Sequence, residues 1–164
     1  MLVGAMNPCP CGYYGDPVKP CTCSPGLISR YQKRLSGPLL DRIDIFVEVP
    51  HVDYEKLSDD RLGEKSVMVQ ARVKAARLLQ RERFKGTGLA CNTEMTPVEV
   101  RKFCQTEESA QGLLKAAMKQ LYLSARAFHR ILKLSRTIAD LEGSGIIKAN
   151  HVAEAIQYRP RSLM

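Results

Sequence analysis

Cys9-Pro10-Cys11 and Cys21-Thr22-Cys23 are two closely spaced thiol pairs with nine residues between them. Four thiolates in a short loop are the ligand set of a closed tetrahedral zinc site. Such a site leaves no open coordination position, so its chemistry is structural: it staples a loop too poor in apolar residues to fold alone. The C-x-C pairs are tighter than the usual C-x2-C knuckle, and reduced free thiols are the alternative reading. Cys91 and Cys104 have no partner in sequence and read as packing or loop residues, and His51, His129 and His151 form no ligand pattern.

Three further residues have types and positions suited to phosphate chemistry. Arg126 follows Ser124 by two positions, in the first turn of a helix that Ser124 would cap. A cation there opposes the helix dipole, at a cost of roughly 0.3–1 kcal/mol, and a phosphate bound at that helix end would reverse the sign. The plainer reading is a solvated basic face continued by Arg130 and Lys133. Asn7 closes an apolar run, and the carboxyl ends of strands are where open α/β sheets place ligands. Its amide suits orienting a water or a phosphate oxygen; it suits equally well turning the chain before Pro8. Arg42 lies between Asp41 and Asp44, either in a local ion pair worth below about 1 kcal/mol or as a guanidinium offered to a neighbouring subunit's nucleotide. There is no G-x4-G-K-[ST] phosphate loop, no apolar strand ending in paired acids and no Ser/His/Asp or Cys/His pairing, so the chain carries no complete catalytic apparatus.

The elements that must position these residues change character along the chain. Residues 1–7 read as a buried strand that looks cut from a larger sheet, followed by a Pro-, Gly- and Cys-rich loop. Leu27, Ile28, Tyr31 and Leu35 recur at helical spacing, and Pro38 opens a short turn. Ile43, Ile45, Val47 and Val49 alternate with other side chains as a half-buried strand would, until Pro50 stops them. Residues 51–65 read as a linker. Beyond it the period is 3.6, with helices expected near 66–84, 97–104, 106–123, 124–143 and 148–158. In the first of these, Val69, Val73, Ala76 and Leu79 are expected to face inward. The fold class is mostly α: a bundle of four to five helices in residues 66–164, preceded in residues 1–50 by a two-strand remnant of an α/β core.

With 164 residues, 45% of them hydrophobic, the chain can bury a core, which excludes disorder as its main state. A net charge of +8 suits an anionic partner such as nucleic acid, nucleotide phosphates or an acidic surface, and suits equally a basic domain kept soluble by its charge. No tryptophan is present and aromatic residues are 6%, which argues against a stacking platform for single strands. No apolar run approaches the roughly 20 residues of a membrane span. No signal peptide is read, and a cytoplasmic protein is expected.

Ala5-Met6-Asn7-Pro8-Cys9-Pro10-Cys11-Gly12, Leu35-Ser36-Gly37-Pro38-Leu39-Leu40-Asp41-Arg42-Ile43-Asp44, the Leu123 to Leu132 segment containing Ser124-Ala125-Arg126, and Arg136-Thr137-Ile138-Ala139-Asp140-Leu141 stand in the order of a known family. Over essentially its whole length the chain resembles the bacterial Mg-chelatase-like (YifB/ComM) group of AAA+ ATPases. The resemblance implies the end of the AAA+ α/β core followed by the helical lid. It also implies Asn7 as the sensor-1 residue near the γ-phosphate, Arg42 as the arginine finger acting in the next subunit, and Arg126 as the lid's sensor-2 arginine. ATP with Mg2+, a hexameric assembly and DNA as partner are implied for the full-length protein, a helicase-like DNA remodeller. Walker A and Walker B are missing from this chain, so no independent ATP hydrolysis is expected of it. A stand-alone zinc-stabilised basic DNA-binding module and the ATPase subunit of a Mg-chelatase-type metal insertase are the alternatives.

Overall fold

A computed structural model describes residues 2–50 and 63–159, which form two compact units. Most of the 51–65 linker lies outside the described residues.

In the first unit, α1 (Pro25–Gln32) starts where the Ser24 hydroxyl accepts the Leu27 N–H at 3.4 Å, with Pro25 pre-set for the first helical position. Ser36 and Pro38 start the one-turn helix α2 (Gly37–Leu40) in the same way. The expected two-strand remnant is not formed. Residues 2–7 and 43–50 are irregular, and Leu2, Val3, Val47 and Val49 are 67–84% exposed. Alternation in a sequence reports a face suited to burial, but a strand exists only where a neighbour completes its hydrogen-bond ladder. Among the described residues neither segment has that neighbour.

The second unit is helical, as its period indicates: α3 (Ser66–Arg83), a 3-10 turn (Asn92–Glu94), α4 (Pro97–Phe103), α5 (Glu108–Gln120), α6 (Ala125–Glu142) and α7 (Ala149–Gln157). α6 is the central element and packs against α3, the 3-10 turn, α4 and α7, while α5 packs on α7. Phe84, Val100, Ile131, Leu132, Ile147 and Val152 are buried together, and Phe84 meets Phe103 edge to face at 5.5 Å. The turns are fastened by side chains. Glu99 accepts the Thr96 N–H at 2.6 Å in the capping box that starts α4. Glu107 accepts the Ala149 N–H of α7 at 2.9 Å, and Thr106 and Ile147 form an isolated parallel bridge beside it. His151 is buried; its Nδ1 accepts the Lys148 N–H at 3.0 Å, so the proton on Nε2 is the one shared with Glu142. No helix among the described residues is long and apolar enough to cross a membrane.

The inward face of α3 differs from the expectation. Val69, Val73 and Leu79 are 37–45% exposed, and the buried residues are Ala76 and Gln80. The contact runs along 76, 80 and 83, one line at i, i+4 and i+7. It is polar because Arg83 is drawn to Asp140 of α6. Arg83 Nη1 lies 2.7 Å from Asp140 Oδ2 and 2.9 Å from Asn92 Oδ1, and Nη2 pairs with Asp140 Oδ1. From α6 itself, Arg136 Nε reaches Asp140 Oδ1 at 3.0 Å, while its Nη atoms donate to the carbonyls of Ser144 and Gly145. Asn92 Nδ2 completes the cluster, at 2.9 Å from Asp140 Oδ2.

Tyr122, between α5 and α6, has φ +48° and is 93% exposed. A non-glycine side chain in the left-handed region is strained, and asparagine tolerates that region better. Tyr122→Asn loses no packing and is expected to stabilise the helical unit by about 0.5–1 kcal/mol. A rise of a few degrees in thermal midpoint confirms it; a fall shows that the tyrosine ring is itself stabilising.

Candidate metal centre and phosphate-contacting residues

The four paired cysteines converge. Their sulfur atoms all lie within 4.8 Å of one another, with Cys9–Cys11 at 3.3 Å, Cys11–Cys21 at 3.5 Å and Cys9–Cys21 at 3.7 Å. Four sulfurs at about 2.3 Å from a central zinc stand about 3.8 Å apart, so this spacing suits a tetrahedral ion. Cys9 is fully buried and the other three are half-buried. The chain makes the cluster by turning sharply twice. Gly12, at φ +86°, returns its N–H to the Cys9 carbonyl at 3.0 Å, and the Cys23 N–H points at the Cys21 sulfur at 3.4 Å.

The sulfurs do not share one ionisation behaviour. Hydrogen bonds from the backbone of Tyr13, and then of Thr22, bring the Cys11 thiol down to about 5. At Cys21 the Cys23 amide pulls the same way, but desolvation and the charge and hydrogen bonds of the neighbouring sulfurs outweigh it and push the thiol up to about 12. Cys23 is raised for the same reasons, against the hydrogen bond from the Cys11 backbone. One negative charge on the cluster thus opposes the next, and a divalent cation at the centre removes that opposition. Four thiolates are a soft donor set, suited to zinc and unsuited to magnesium.

Asn7 is exposed at the start of this loop. Its amide lies against Gly12, where a Cβ would stand 3.7 Å from Asn7 Nδ2. Gln32 of α1 donates to the Pro8 carbonyl at 3.3 Å, tying the next residue to the helix. Arg42 follows α2, is exposed, and donates through Nη1 to the Pro38 carbonyl at 2.9 Å.

In the helical unit, Arg126 is exposed in the first turn of α6. Ser124 Oγ caps that helix by accepting the Ala127 N–H at 3.1 Å, and no acid stands in the first turn. Among the described residues Arg126 has no hydrogen-bond or ion-pair partner. The suggested stripe through Arg130 and Lys133 is not an open basic face: Arg130 is half-buried, and Lys133 Nζ donates to the Thr93 carbonyl at 2.9 Å. Cys104 is buried, and desolvation pushes its thiol up to about 12, in keeping with a packing role.

Residues 1–57 match the family described as magnesium chelatase, subunit ChlI, and residues 63–159 match its C-terminal counterpart. The chain belongs to the Mg-chelatase-like AAA+ family. Competence protein ComM of Haemophilus influenzae is 42% identical over 160 residues, which is 96% of this chain and 30% of ComM. A protein named YifB from Escherichia coli is 42% identical over 159 residues, again 96% of this chain and 30% of the relative. Rv2897c of Mycobacterium tuberculosis is 34% identical over 158 residues, 96% of this chain and 31% of the relative. The chain therefore spans about a third of the length of the curated relatives it matches. Within this Mg-chelatase-like chain, Gly12 is the residue of the Cys loop whose part was not read from sequence. The available signal was a glycine directly after C-x-C, where a positive φ closes the turn.

Proposed function

We propose that this chain supplies the end of the ATP-binding core (residues 1–50) and the helical lid (residues 66–164) of a hexameric cytoplasmic AAA+ ATPase, joined by a linker at 51–65. In this reading Asn7 orients the attacking water, Arg42 acts in the neighbouring subunit's site, and Arg126 binds the γ-phosphate from the lid. ATP supplies the phosphoryl group and Mg2+ neutralises its charge. The four-thiol centre suits zinc, so the magnesium would be held by the nucleotide and by residues elsewhere in the full-length protein.

The observation that carries this reading is Arg126: a guanidinium that has no partner among the described residues, in the first turn of an 18-residue helix whose first turn holds no acid. Helix stability gives no reason for that choice, whereas a phosphate gives one. DNA is the favoured substrate of the coupled work, because the net charge is +8 and one relative is named a competence protein. Metal insertion, suggested by the family's description, has no comparable support among the residues.

Arg126→Ala in the full-length protein tests the assignment. Loss of a charge-assisted hydrogen bond of about 1.5–3 kcal/mol lowers ATP turnover roughly 10- to 150-fold, with the thermal midpoint of the helical unit unchanged. Turnover at the wild-type level, or a large loss of thermal stability, makes Arg126 a structural residue instead.

A further inference from the structure

We infer that a zinc ion held by Cys9, Cys11, Cys21 and Cys23 fixes the position of the Asn7 side-chain amide, so that the four cysteines are positioning residues for that amide. The inference rests on the zinc reading of the cluster and adds its consequence for Asn7.

Three observations support it. First, Cys9 is the one buried residue between positions 2 and 27, so no apolar core holds this part of the chain. The sulfur cluster gathers the loop from both of its ends, through Cys9 and Cys11 on one side and Cys21 and Cys23 on the other, and a single exposed hydrogen bond from Gln32 to the Pro8 carbonyl lies beside it. Second, Asn7 stands two residues before a ligand, and the residue between them is Pro8, whose φ is locked by its ring. The position of the Cys9 sulfur therefore passes to Asn7 through a stiff arm. Third, the surface behind the Asn7 amide is Gly12, the residue directly after the ligand Cys11 and hydrogen-bonded to the carbonyl of the ligand Cys9. The amide itself makes no hydrogen bond among the described residues, so the shape of this turn is what holds it. If the sulfurs separate, the arm and the backing surface move apart together.

Zinc content and the side-chain amide NMR signals of Asn7 test this on the 164-residue chain, assigned with an Asn7→Asp variant. Purified without chelator, the chain is expected to carry about one zinc and to show a dispersed pair of Asn7 amide signals. Removing zinc with a chelator should collapse that pair to the position of an unstructured asparagine, and zinc added back should restore it. The signals of Asn92, buried in the helical unit, should not move. Gly12→Ala, which forces a side chain into φ +86°, should shift the Asn7 pair while zinc stays bound. One zinc per chain with an Asn7 pair that ignores both chelation and Gly12→Ala overturns the inference and leaves the zinc reading standing. No zinc in the purified chain, and none taken up on titration, overturns both.

Discussion

Alanine in place of Arg42 is expected to lower ATP turnover of the assembled full-length protein by about 10³- to 10⁵-fold while leaving nucleotide affinity nearly unchanged. A guanidinium that reaches a transferring phosphoryl group from the next subunit stabilises charge that develops only in the transition state. Ground-state binding therefore feels its loss little. The local structure suits such a role: the side chain is exposed, and its tie to the Pro38 carbonyl steadies it at the end of α2. Arg42→Lys should not restore activity, because an ammonium lacks the planar fork of donors. Mixing the alanine variant with wild-type subunits separates this role from a local one, since each defective subunit then silences a neighbour's site. Normal turnover in the alanine variant removes the assignment.

Asp140→Ala is expected to destabilise the helical unit by about 3–5 kcal/mol, read as a lower denaturant midpoint at constant m-value. Asp140 is 2% exposed and is the shared acceptor for Arg83 and Arg136, so its removal leaves two cations without their counter-charge, one of them fully buried. Burial by itself would raise its pKa. The hydrogen bonds from Arg83 and Asn92, with the charges of Arg136 and Arg83, outweigh that and hold the carboxyl below the usual carboxylate range. A native pKa below the unfolded value contributes stability that is complete above the ordinary carboxylate range and is lost as pH falls through the native value. Glu99, Glu107 and Glu142 are also lowered and act in the same direction. The acid arm of the wild-type stability curve should therefore be steeper than that of Asp140→Asn, and identical arms would assign the acid loss to the glutamates.

The helical unit was far more legible in the sequence than the first unit, for a physical reason. A helix satisfies its backbone internally, so its period and caps are local signals, and Ser124, Thr96-Pro97-Glu99 and Gly143 stand where those signals put them. A strand is completed by a partner that its own residues do not name, and the alternation from Ile43 to Val49 accordingly led to no strand. The inward face of α3 departs from its hydropathy because that measure gives little weight to an arginine or a glutamine: Arg83 is drawn in by Asp140, 57 positions beyond it, and Gln80 accepts the Asn92 N–H. The Cys cluster was legible from spacing alone. That the Asn7 amide lies where a Gly12 side chain would reach was not, because such a proximity leaves no compositional mark.

α6 can also be regarded as a lever. Its 18 residues make a rod about 27 Å long, with Arg126 at one end and a clamp at the other. Arg136 grips the carbonyls of Ser144 and Gly145 beyond the helix, and Asp140 bolts the same stretch to α3 through Arg83. The polar cluster of Arg83, Asn92, Arg136 and Asp140 thus ties the far end of the rod both to α3 and to the turn before α7.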